Sequence, residues 1–243
     1  MPTPRNDLSM KPFQILTRHM LDEYLSRDTV SALLDSHSGA QDEALTCQKW
    51  LRDTPPKRLV FEQLYGDLLS DGPRLRILDI GGGITALSSV LAKRHDYHLV
   101  DLMAHDDMHA AKAIEDRAGR AFIHQSDWYE FLPKGNFDVV IANDIFPNVD
   151  QRLALFVERF TSCSTQVRMS LTYYNTPRFY LTRRVDAEEY LCLLAWGGRE
   201  TFTAIEPYLS PKYSSEAANM QTDVTSVYPN GRHVALVALP SQP

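Results

Sequence analysis

The run Leu75-Arg76-Ile77-Leu78-Asp79-Ile80-Gly81-Gly82-Gly83 constrains this chain more than any other feature. It is a short apolar stretch that enters consecutive glycines and is followed by a helical pattern from Ile84 to Arg94. That is the junction of a buried strand with a helix. Glycines at such a junction permit a tight turn and let a ligand approach the backbone. The helix N-terminus beyond offers free N–H groups to a negatively charged group. Gly81-x-Gly83-x-x-Ala86 also fits the glycine pattern of dinucleotide turns. The alternation continues downstream. Tyr97 to Asp101, Ala121 to Gln125, Phe137 to Ala142 and Gln166 to Leu171 read as strands. His109 to Arg117 and Val149 to Phe160 read as helices between them. Apolar strands alternating with helices predict an α/β fold with a doubly wound parallel sheet.

Both ends of the chain read differently. Lys11 to Ser26, Asp28 or Thr29 through Leu34, Gln41 to Arg52 and Lys57 to Ser70 carry helical spacing, with a break at Pro55-Pro56. Residues 1–73 are therefore expected to form an N-terminal helical cap or lid, and residues 74–243 the ligand-binding domain. Asp186 to Trp196 is predicted as a helix ended by Gly197-Gly198. The runs Asp223 to Tyr228 and Arg232 to Leu239 flank Pro229-Asn230-Gly231, which predicts an antiparallel hairpin at the C-terminal edge of the sheet.

Composition narrows the partners. A net charge of −6 with a pI near 5.7 argues against a nucleic-acid surface, which needs clustered Lys and Arg. No apolar run approaches the roughly 20 residues that span a bilayer, and Met1 to Asp7 lacks the apolar core of a signal peptide. Cys47, Cys163 and Cys192 form no CxxC and read as reduced thiols. The expectation is a cytoplasmic protein whose partner is a small molecule rather than nucleic acid or membrane, with its oligomeric state open. His105-Asp106-Asp107-Met108-His109 places two His four apart, but at a loop-to-helix start it reads as exposed polar residues, and no metal is expected.

With Asp79 before the glycines, Asp101 ending the second strand, Ser126-Asp127-Trp128 after the third and Asn143-Asp144 after the fourth, the chain resembles the class I S-adenosylmethionine-dependent methyltransferases over about Leu75 to Leu171. The resemblance implies a Rossmann-like seven-stranded sheet. It implies that S-adenosylmethionine is bound by Asp79, Gly81, Gly82 and Gly83 at the amino-acid end and by Asp101, with Leu102 beside it, at the ribose. Asp127 and Trp128 would hold the adenine, and Asn143 would line the reactive end. The aromatic segment Tyr173-Tyr174-Asn175-Thr176-Pro177-Arg178-Phe179-Tyr180 follows the fifth strand, where open α/β sheets bind ligands. Asn143-Asp144-Ile145-Phe146 is not the Asn-Pro-Pro-Tyr turn that serves amino groups of bases or glutamine, which disfavours nucleic-acid and protein-amide methylation.

A finer resemblance runs through Asn143-Asp144-Ile145-Phe146-Pro147-Asn148-Val149-Asp150-Gln151-Arg152 with Tyr180 downstream. It is similar to the azetidine-2-carboxylate synthases, which share the methyltransferase fold but cyclise S-adenosylmethionine and expel methylthioadenosine. That resemblance implies Asn143 and Tyr180 as catalytic residues. Three readings follow: a cyclase of this kind, a conventional small-molecule N- or O-methyltransferase of secondary metabolism, and a non-catalytic S-adenosylmethionine-binding regulator.

Overall fold

The computed structural model describes residues 10–106, 108–132, 134–184, 189–222 and 225–241. The chain opens with β1 (Phe13–Ile15), α1 (Arg18–Leu25), α2 (Thr29–His37), α3 (Thr46–Asp53) and α4 (Pro55–Leu69). The alternating part follows as β2 (Arg76–Ile80), α5 (Ala86–Arg94), β3 (Asp96–Asp101), α6 (Met108–Ala118), β4 (Ile123–Gln125), β5 (Phe137–Ala142), α7 (Leu153–Thr161) and β6 (Ser164–Tyr173). Then come β7 (Arg178–Arg184), β8 (Glu189–Ala195), α8 (Gly198–Ile205), α9 (Pro211–Ala217) and β9 (His233–Pro240).

A seven-stranded sheet has the order β4-β3-β2-β5-β6-β9-β1. The pairs β4–β3, β3–β2, β2–β5 and β5–β6 are parallel, while β9 runs antiparallel to β6. This is the doubly wound sheet expected from the alternation, with the seven strands that the resemblance implied, closed at its edge by antiparallel pairing. The strand order reverses between β2 and β5, and open α/β sheets bind ligands outside the carboxyl ends of the strands at such a point. Both faces are covered. Ile77, Leu99, Val139, Ile141 and Leu236 pack with the N-terminal helices, α5 and α6. Leu78, Ile80, Val140, Val167, Met169 and Val237 pack with α7 and α8. Among the described residues no helix is long and apolar enough to cross a membrane.

Three expectations differ from the structure. Lys11 to Ser26 is not one helix. Phe13–Ile15 pairs antiparallel with β9 at the sheet edge, and the Thr17 hydroxyl then starts α1 by accepting from Met20 N at 3.3 Å. The apolar residues that fit a helix also satisfy an edge strand when β9 offers free backbone. At the second site, Asp186 lies outside the described residues, and Glu189–Ala195 is a strand, not a helix, paired with β7 in register Tyr180↔Leu193. Gly197-Gly198 accordingly opens α8 instead of ending a helix, with Gly197 N donating to Glu200 Oε2 at 3.1 Å. At the third, Asp223 lies outside the described residues and residues 225–228 form no strand. The edge partner of β9 is β1.

The N-terminal helices are fastened to the sheet by charge. Arg168 on β6 is wholly buried, and its guanidinium forks onto the Asp67 carboxylate of α4 at 2.6 and 2.7 Å while also donating to Leu64 O at 2.8 Å. Breaking a buried pair from one side is far costlier than never having built it. Arg168→Ala should lower the free energy of unfolding by about 3 kcal/mol, measured by urea denaturation. A loss below about 1 kcal/mol, the value of an exposed pair, would show that the contact does not anchor the cap.

Candidate functional site

The site forms where β2, β3, β4 and β5 end. Gly81 (φ +64°) and Gly83 (φ +66°) both need the left-handed region, and Gly81 N donates to Val100 O at 2.8 Å. Gly82 lies against the Asp79 carboxylate, where a Cβ would come within 2.5 Å of its oxygens. Thr85 and Ser88 form a capping box at the start of α5, and Ala86 N donates 2.9 Å to Oε1 of the buried Gln48 on α3.

Asp79 is buried under this loop at 2 % exposure. Tyr97 Oη donates to it at 2.7 Å and Tyr65 Oη at 3.0 Å. Burial pushes its pKa up to about 7 against the pull of the two hydroxyls, and the nearby Asp101 adds to the rise. Asp101 is half-buried. Its Oδ2 accepts from Gly83 N at 3.2 Å and its Oδ1 from Met103 N at 2.7 Å, so it ties the glycine loop to the loop after β3. Leu102 beside it is 61 % exposed.

Asp127 receives Tyr129 N at 2.7 Å and the Arg152 guanidinium at 2.8 and 3.2 Å. The Arg152 bonds hold its carboxyl below the usual carboxylate range. Trp128 is buried edge-on against Phe146 and Phe156, and its Nε1 donates to Asp150 Oδ2 at 2.8 Å. Gly81, Asp101, Leu102, Asp127 and Trp128 line one cleft of about 520 Å³.

A second cavity of about 340 Å³ shares Gly81, His105, Asp144 and Val149 with that cleft and runs beneath α3 and α4. Gly82, Cys47, Asn143 and Asn148 also line it. Ser170 Oγ donates to Asn143 Oδ1 at 2.8 Å and accepts from Asp144 N at 2.8 Å. Asp144 adopts φ +61°, and its carboxylate meets Lys57 Nζ at 2.8 Å and Arg232 Nη1 at 3.0 Å. Those two cations, Arg232 foremost, hold it well below the usual carboxylate range despite burial. Tyr180 stands apart on β7. It is absent from the walls of both cavities and reaches the second through its hydroxyl, which donates to Asn148 Oδ1 at 3.2 Å.

The structure thus brings Asp79, Gly81, Gly82, Gly83, Asp101, Leu102, Asp127, Trp128 and Asn143 to one end of the sheet and leaves Tyr180 one residue removed. Sequence reading missed Tyr65, Tyr97, Gln48, Lys57, Asn148, Ser170 and Arg232. A signal existed for Ser170: β6 alternates Arg168, Ser170, Thr172 with Val167, Met169, Leu171, a buried strand with one polar face. His105 and His109 fall in the loop and the first turn of α6, while Asp107 lies outside the described residues. Among the described residues no three His, Cys, Asp or Glu side chains are grouped to hold a metal ion.

No known family model and no curated protein matches the chain. Solved structures are similar to it. One is the complex of DhpI with SAH, at 16% identity and a TM-score of 0.46, covering 94% of this chain and 100% of that one. Another is the Burkholderia thailandensis 1,6-didemethyltoxoflavin-N1-methyltransferase with bound 1,6-didemethyltoxoflavin and S-adenosylhomocysteine, at 17% identity and a TM-score of 0.49, covering 95% and 92%. A third is the O-methyltransferase from a trans-AT PKS multienzyme of Brevibacillus brevis in complex with S-adenosyl-L-homocysteine, at 11% identity and a TM-score of 0.43, covering 84% and 80%.

The elevated pKa of Asp79 has a sign that can be checked. An unfolded Asp ionises near pH 3.9, so between there and about 7 the folded state holds the extra proton. This contribution to stability is complete below pH 3.9 and is lost as the pH rises through 7. Asp79→Asn, which cannot ionise, should raise the melting temperature at pH 8 and lose that advantage at pH 5. Equal effects at the two pH values would show that Asp79 is ionised throughout.

Proposed function

We propose that this chain binds S-adenosylmethionine and closes the cosubstrate's own amino-acid arm into azetidine-2-carboxylate, releasing methylthioadenosine. The observation that carries the binding is the succession of Asp79, Asp101 and Asp127 at or just beyond the ends of β2, β3 and β4, around the glycine loop and a single cleft. The donor set fits the group. Asp101 offers a half-buried carboxylate to the ribose hydroxyls. Asp127 and the wall of Trp128 face the adenine end, and about 520 Å³ is available for the nucleoside.

When bound, the sulfonium activates the γ-carbon, so that the α-amine forms a C–N bond there, the C–S bond breaks with its electrons going to methylthioadenosine, and the amine gives up one proton. The residues position and protect that event. Asn143, fixed by Ser170, orients the arm at the end of β5. Orientation of this kind contributes roughly 7–11 kcal/mol in favourable intramolecular reactions. Tyr180 acts as a positioning residue by holding Asn148 on the cavity wall. Helices α3 and α4 form the lid and exclude water from the arm. Asp144 is a poor proton acceptor because Lys57 and Arg232 keep it ionised. Asp79 lines neither cavity and its two oxygens are engaged by Tyr65 and Tyr97, so bulk solvent is the final acceptor of the proton.

Methyl transfer to a small acceptor is the second reading, favoured by the 340 Å³ cavity adjoining the nucleoside cleft. The product decides between them. Protein incubated with S-adenosylmethionine and no acceptor should form methylthioadenosine and azetidine-2-carboxylate above the spontaneous rate, read by mass spectrometry. Formation of S-adenosylhomocysteine only upon addition of an acceptor would replace the cyclase with a methyltransferase. Asn143→Ala and Tyr180→Ala should each lower turnover by on the order of 10–100-fold with little change in cosubstrate affinity. Undiminished turnover in both variants would remove these residues from the mechanism.

A further inference from the structure

Charge does not balance in the cavity beneath α3 and α4. Lys57 and Arg232 both pair with the single carboxylate of Asp144, at 2.8 and 3.0 Å. Their side chains are only 28 % and 13 % exposed, and all three line the cavity. Hydrogen-bonding capacity is also left over there. The Tyr228 hydroxyl and Arg232 Nε are buried with no hydrogen-bond partner, and the guanidinium lies 4.4 Å over the Tyr228 ring. Buried donors are rarely left unfilled, and buried charge persists when paired. One net positive charge, with spare donors on an Arg and a Tyr, matches a monoanion with two oxygens.

We propose that Lys57, Arg232 and Tyr228 form a carboxylate-binding subsite in which Asp144 holds the two cations in place. Its ligand is a carboxylate. This rests on the S-adenosylmethionine reading for one of two sources: the α-carboxylate of the cosubstrate's amino-acid arm, or that of a separate small carboxylic acid. The first source places the subsite at the end of the arm. The second makes it the recognition element for another molecule in the same cavity.

Calorimetric titrations separate these outcomes. S-adenosylhomocysteine carries the arm and methylthioadenosine lacks it. Lys57→Gln and Tyr228→Phe should each weaken S-adenosylhomocysteine binding, Lys57→Gln by tenfold or more, and leave methylthioadenosine binding unchanged. Arg232→Lys should retain more affinity than Arg232→Gln. Tyr228→Phe removes one oxygen and the Lys57 side chain is 28 % exposed, so these two variants test the subsite even if Arg232→Gln does not fold. If S-adenosylhomocysteine binds all variants equally, azetidine-2-carboxylate titrated into protein saturated with S-adenosylhomocysteine reads the second source. Binding to the wild type that Lys57→Gln abolishes supports the subsite, and no binding, or binding that Lys57→Gln leaves intact, overturns it. Failure of the wild type to bind either nucleoside would overturn the proposed function instead. The subsite would then be judged by azetidine-2-carboxylate alone, against the same two outcomes.

Discussion

The Asp79 carboxylate, buried beneath the glycine loop between two tyrosine hydroxyls, is the contact on which the rest of this site depends. It joins three parts of the chain at one point. Asp79 ends near the C-terminus of β2, Tyr97 comes from β3 and Tyr65 from α4 of the cap. A carboxyl group so deep in an apolar core is costly unless it is hydrogen-bonded or protonated. Here both remedies operate: two phenols donate to it, and burial pushes its pKa to about 7. Helix α4 is therefore registered on the sheet by the same group that the loop glycines enclose, and the loop cannot carry a side chain at Gly82 without displacing it.

A second network does the same for the far side of the site. Strand β6 presents Val167, Met169 and Leu171 to one layer and Arg168, Ser170 and Thr172 to the other. The polar set faces the cap, where each member has a distinct load. Arg168 clamps Asp67 of α4, Ser170 sets Asn143 and the Asp144 amide, and Thr172 Oγ1 donates to Asp144 Oδ1 at 3.3 Å. Asp144 takes an unfavourable left-handed backbone for a residue with a side chain. That geometry is sustained by contacts from α4, β6 and the approach to β9 at once, the pattern expected where local strain is held by its surroundings.

What the sequence made legible was local. The strand β2, its glycines and the helix after them lie within one short run, so their spacing alone revealed the turn. Phe137–Ala142 was read to its exact ends because it is apolar on both faces and bounded by polar turns. Of the two residues that could start α2, Asp28 is the cap, accepting from Ser31 N at 3.3 Å. What escaped was pairing across distance. Lys57 and Arg232 meet at Asp144 from opposite ends of the chain, and nothing near either residue announces the other. The segment Glu189–Ala195 fits a helix or a strand equally by its apolar content, and only its partner β7 decides the matter. Likewise β1 is a strand because β9 has an open edge. Tyr180 is implied by the resemblance, whereas its direction is set by the β7–β8 register, which lies outside what local sequence carries.

The N-terminal helices and the candidate site are consequently linked. Gln48 satisfies the first helical amide of α5, Thr46 N donates to Asp106 beyond β3, Tyr65 meets Asp79 and Lys57 meets Asp144. Each of these links joins the cap to a loop that lines a cavity or to the turn beneath it. A ligand that replaced some of these contacts with its own would have to compensate for those it displaced, and one that complemented them would tighten cap and sheet together. Ligand affinity and the packing of these helices on the sheet are then linked by mass action, since whatever binds only the assembled arrangement stabilises it by its own binding free energy. Asp79 makes that coupling directional. It is a carboxylate short of hydration, so a positively charged group brought near it restores part of what folding gave up.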